Sequence, residues 1–190
     1  MKLPIVTELN APPLIDPKNI SSVSTDTWVE IMERSILPAE QLKEIQRPSR
    51  EIVVAPWFKQ GDLGFIFGSR GLGKTWYALH LGRRIAEGGS FGPWQVPCPR
   101  RVLYVDGEMA MDGLTERDTA LTRADAGGRM MYLQHEQMFD KSEAVLNLAH
   151  PFHQEALSTL CQKQNIEVLV LDNLSCLFTG INENNADARE

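Results

Sequence analysis

The sequence predicts an α/β domain, a mostly parallel sheet flanked by helices, with a small helical appendage at its amino end. Three observations carry this. Short apolar runs, Leu63-Gly64-Phe65-Ile66-Phe67, Val102-Leu103-Tyr104-Val105 and Val168-Leu169-Val170-Leu171, have the character of strands buried on both faces. They alternate with segments of helical period, which implies βαβ units. A glycine-rich stretch, Gly68 to Thr75, separates the first run from the first long helix. At 190 residues the chain has room for one such domain and little more. The division is expected after residue 49, with a tether and short helices in 1–49 and the core in 50–190.

In chain order, Pro4, Pro12, Pro13 and Pro17 interrupt any period, so residues 1–25 read as a tether. Thr27-x-x-Glu30 has capping-box form ahead of Trp28, Ile31, Met32 and Ile36, which predicts a helix ending at Pro38. A second short helix can start at Pro38, with Leu42 and Ile45 as its buried side. Apolar residues 52–54 and 56–58 follow, then a turn at Lys59-Gln60-Gly61-Asp62 and the strand Leu63–Phe67. A helix runs from Lys74 to about Glu87, closed by Gly88-Gly89. The segment Phe91–Pro99 reads as loop. Strands are expected at Val102–Val105, Arg129–Leu133 and Val168–Leu171, with helices near Leu114–Arg123 and Phe152–Gln164.

Composition removes several classes of function. Apolar residues at 43% exclude a wholly disordered chain, and neither a collagen repeat nor a disulfide scaffold is present. A net charge of −6 argues against holding nucleic acid by bulk charge, though not against a basic loop or a channel made by several copies. Cys98, Cys161 and Cys176 are odd in number and lack metal-binding spacing, so they read as reduced thiols. There is no apolar leader and no run long enough to span a bilayer, which places the expected compartment in the cytoplasm. His80, His135, His150 and His153 share no metal-ligand spacing, and Arg83-Arg84 and Arg100-Arg101 are pairs rather than patches. The methionines at 109, 111, 130 and 131 read as core filler.

Gly68-Ser69-Arg70-Gly71-Leu72-Gly73-Lys74-Thr75 fits G-x-x-x-x-G-K-[ST], and its place between a strand and a helix is the context that pattern requires. Glycines let the backbone turn at positive φ and bring N–H groups against phosphate oxygens. The helix start adds partial positive charge and unpaired donors. Lys74 supplies a cation for the β and γ phosphates, and the Thr75 hydroxyl can ligate Mg²⁺. Asp172, directly after an apolar strand, has the position of the acid that holds the metal's water shell. The next residue is Asn173, not an acid, so the group that polarises the attacking water must come from elsewhere. Glu108 ends the strand after the helix, at the carboxyl edge where ligands gather, with Asp106 as a supporting group.

Taken together, Gly68–Thr75, Val105-Asp106-Gly107-Glu108-Met109 and Val170–Ser175 resemble the RecA-like P-loop ATPases. More narrowly they resemble AAA-family ATPases related to hexameric replicative helicases of the RepA type, over about residues 50–190. The resemblance implies ATP and Mg²⁺ as cofactors, with Lys74 and Thr75 as the Walker A pair, Asp172 as the Walker B acid and Glu108 as the catalytic glutamate. It also implies a homo-oligomeric ring such as a hexamer, single-stranded DNA as a partner, and no membrane. Such cores continue past the Walker B acid with a polar sensor, DNA-facing loops and an arginine finger. The core is therefore expected to be incomplete here, its last strands and those residues lying beyond Glu190.

Two functions follow from these residues. One is an ATP-hydrolysing subunit of a DNA helicase or of a replication or repair motor. The other is a nucleotide-binding regulatory or assembly module with little turnover, and Glu108 separates the two. A small-molecule kinase is disfavoured because no arginine-rich lid segment is seen.

Overall fold

The computed structural model describes residues 24–45 and 49–180, and the chain divides into two compact units between Pro48 and Ser49. The first unit holds α1 (Thr25–Ser35) and α2 (Ala39–Leu42). The cap of α1 is Ser24, whose hydroxyl accepts the Thr27 N–H at 3.2 Å, so the helix starts before the expected Thr27. Pro38 immediately precedes α2. Leu42 and Ile45, expected to be buried, are exposed: a four-residue helix offers too small a face, and neither α1 nor α2 buries a residue. The tether expected in 1–25 falls almost wholly outside the described residues.

The second unit is ordered by one strand. In β5 (Val102–Asp106) all five residues are buried, the mark of a strand with neighbours at both edges and cover on both faces. It pairs in parallel with β6 (Met130–Gln134) on one side and β7 (Val168–Asp172) on the other, giving the order β6-β5-β7. The register aligns Asp106 with Gln134 and with Asp172, so the three strands end together and their last side chains share one edge.

Alternation along β5 sorts the two faces. Tyr104 packs with Ala78, Leu79 and Leu114 of α3 (Lys74–Glu87) and α4 (Met111–Leu121). Leu103 and Val105 face the other way, onto Leu148, onto Leu157 of α6 (Pro151–Lys163) and onto Leu177 of α7 (Leu174–Leu177). The far end of β5, at Val102, is covered by Val53, Val54 and Val96 of two small hairpins, together with Ile85 and Ala86 of α3. Among the described residues no helix is long and apolar enough to cross a membrane.

Four local expectations need correction. Leu63–Phe67, expected as a strand buried on both faces, forms no strand, and β7 pairs with β5 alone among the described residues. Leu63 is 81% and Phe67 91% exposed. An apolar run becomes a strand only where another strand offers its N–H and C=O groups, and no described strand does so here. Residues 91–99 are not all loop. They contribute to a hairpin of β3 (Gly89–Phe91) and β4 (Trp94–Val96), turned at Gly92 (φ 56°), and the earlier apolar residues pair as β1 (Ile52–Val54) and β2 (Phe58–Lys59). α4 begins at Met111, ahead of the expected Leu114. A short α5 (His135–Ser142), not foreseen, follows β6 directly.

Candidate functional site

The Gly68–Thr75 loop takes its shape from glycine and from one lysine. Gly71 and Gly73 have φ of 81° and 80°, a region that costs a residue with a Cβ about 1–2 kcal/mol. Gly73 is the N-cap of α3 and brings no side chain, so no side-chain cap occupies the donors of the first turn. Lys74 folds back across the loop, and its ammonium donates to the carbonyls of Gly68 (2.8 Å) and Ser69 (3.0 Å). Free helix donors and a cation together form an anion-accepting concavity.

Beside this loop lies a pocket of about 400 Å³ lined by Thr75, Asp106, Glu108, Met109, Ala110, Gly113, Arg117 and Asp172. Three of the residues expected at the site, Thr75, Glu108 and Asp172, thus meet in one cavity although they come from three different elements. Lys74 adjoins it through Thr75, and Gly68–Leu72 form the exposed approach.

Each acidic side chain is placed by the backbone around it. Asp172 ends β7, joined to Asn173 by a cis peptide bond, and its carboxylate accepts the Tyr104 hydroxyl at 2.5 Å. Burial, with Asp172 alongside, pushes the Tyr104 phenol far above its ordinary range, so it stays protonated and donates. Asp106 is wholly buried, and burial raises its pKa. Backbone donors at Met109 and Glu108 work against that rise, and the charge of Asp172 adds to it. Its carboxylate accepts the Met109 N–H at 3.1 Å, which turns the chain after β5 and presents Glu108 to the pocket. Gly107 donates its N–H to the Asp172 carbonyl at 2.9 Å. A Cβ at Gly107 would lie 3.0 Å from Leu177, so glycine is needed for this close approach.

Asn173, which in the sequence stands only as the missing acid, acquires a part. Its carbonyl oxygen accepts from the Cys176 N–H (2.9 Å) and the Ser175 hydroxyl (2.6 Å) at the start of α7. That leaves its amide NH₂ to donate to the Glu108 carboxylate, as the geometry shows. Gln134 donates to the Met109 carbonyl, and Glu136 accepts the Met111 N–H at 2.6 Å, so the end of β6 fixes the far side of the same loop. Sequence reasoning missed Asn173, Tyr104 and Arg117. Only Asn173 gave a local signal, an Asn ahead of a short helix.

The oxygen donors of Thr75, Asp106, Glu108 and Asp172 are hard ligands of the sort Mg²⁺ takes. Among the described residues no cluster of three His, Cys, Asp or Glu forms a closed metal cage. One hydroxyl and one carboxylate beside an anion-accepting concavity fit a cation that keeps much of its water.

Compared with family models, residues 29–190 match one described as an AAA domain. No curated protein and no solved structure matches the chain.

Proposed function

We propose, for a chain that belongs to the AAA-domain family of P-loop ATPases, that Gly68–Thr75 holds the phosphates of ATP and that Glu108 drives hydrolysis of its γ-phosphate. The family implies nucleotide binding; the residue roles are our reading. The observation that carries them is the single pocket shared by Thr75, Glu108 and Asp172 next to the glycine loop. Backbone donors and Lys74 bind the β and γ phosphates. Thr75 and Asp172 would hold Mg²⁺, which when bound neutralises phosphate charge. Glu108, held by Asn173, takes a proton from water as its oxygen attacks the γ-phosphorus in line. The bond to the bridging oxygen breaks and its electron pair leaves with ADP. Asp106 supports the turn that presents Glu108.

Lys74→Ala tests the binding step by calorimetry with ATP and Mg²⁺. The expected loss is about ten-fold or more, from one charge-assisted phosphate contact; equal affinity in the two proteins would refute it. The resemblance to RepA-type helicases extends the reading to a ring of copies in the cytoplasm whose turnover is coupled to single-stranded DNA. Stimulation of hydrolysis by single-stranded DNA tests that extension.

A further inference from the structure

Among the residues lining the pocket, Arg117 is the sole cation, set among three carboxylates. It sits in the second turn of α4, and a helical side chain leans back toward the helix start, which carries the guanidinium over the loop that holds Glu108. There it lies 5.5 Å from the centre of the Trp76 ring, and Nη1 donates to the Met109 sulfur at 3.2 Å. Both are weak partners. Among the described residues no carboxylate comes within ion-pair distance of Arg117.

The rotation of α4 is fixed by other groups. Asp118 is gripped by Arg83 of α3 and by the Tyr132 hydroxyl, and Leu114 is buried against Ala78 and Leu79. Arg117 is therefore not needed to anchor its own helix, and its planar fork of donors faces the cavity on a soft aromatic rest.

We propose that Arg117 contacts the terminal phosphate of a bound nucleoside triphosphate, exchanging its place on Trp76 for a charge-assisted contact, so that the site separates triphosphate from diphosphate. The proposal rests on the nucleotide reading given above. Guanidinium geometry matches phosphate oxygens in pairs, and an anion entering a wall of carboxylates needs that charge. Trp76 then reports the exchange, because the cation leaves its ring.

The test uses the full chain with Mg²⁺ and two probes, ADP and a non-hydrolysable ATP analogue. In Arg117→Gln, affinity for the analogue should fall about ten-fold while affinity for ADP changes less than about two-fold. The analogue should also shift indole emission in the wild type, and Trp76→Phe should abolish that shift. If Arg117→Gln loses both probes alike, Arg117→Lys decides: a regained preference for the analogue supports the contact, and its absence overturns it. Unchanged affinity for the analogue in Arg117→Gln overturns the Arg117 contact alone. Failure of the wild type to bind either probe overturns the nucleotide reading and the contact with it.

Discussion

On the sheet side of the pocket, the segment from Asp106 to Met111 is tied at nearly every residue. Gly107 bonds to Asp172, Met109 to Asp106 and Gln134, Met111 to Glu136, and Glu108 to Asn173. On the loop side, Gly68–Thr75 is gathered by the two bonds of Lys74, and the apolar run leading into it stands exposed. Hydrogen bonds to three strand ends fix the acids, whereas glycine dihedrals and the folded-back Lys74 shape the glycine loop. An acid that must meet water at one angle gains from the first kind of wall. A loop that must close around an anion can use the second.

Core truncation sharpens this contrast most. Leu79, wholly buried beneath the sheet, should cost about 2–5 kcal/mol when changed to Ala. Phe67→Ser in the exposed lead-in should stay within about 0.5 kcal/mol, measured by denaturant unfolding. Comparable losses at both would show that the lead-in is packed after all. Next comes Gly107→Ala, whose Cβ would press on Leu177 and Cys176 and should destabilise by about 1–3 kcal/mol. Wild-type melting in that variant would mean the loop yields freely.

Asn173→Ala leaves Glu108 without its amide partner and should lower kcat by about ten-fold with little change in ATP affinity. An unchanged kcat would show that Glu108 needs no such support. The smallest effect concerns His80, whose pKa is held below its ordinary value by burial and by the nearby Arg84 and Arg123 charges. The unfolded chain then takes up the proton first. Stability should be full above the ordinary histidine range and fall as pH drops through that range toward the folded value. His80→Gln should flatten that slope in melting curves, and an identical slope would assign it elsewhere.

What the sequence disclosed follows from how local each signal is. β5, β6, β7 and α3 were readable because apolar runs and helical period are properties of short segments, and Lys74–Glu87 matches the helix found. The pattern Gly68–Thr75 announced itself in the same way. Leu63–Phe67 misled, since an apolar run says nothing of whether a strand edge waits beside it. Asn173 and Arg117 were hidden for a related reason. Their partners, Glu108 and Trp76, are distant in the chain and met only once the strands were in register.

The most direct test of the whole account is ATP binding and turnover in Glu108→Gln, which keeps the side chain's shape and removes its basicity. ATP affinity should be retained while kcat falls about 10²-fold or more. Hydrolysis at the wild-type rate would contradict the account and assign the attacking water to another residue.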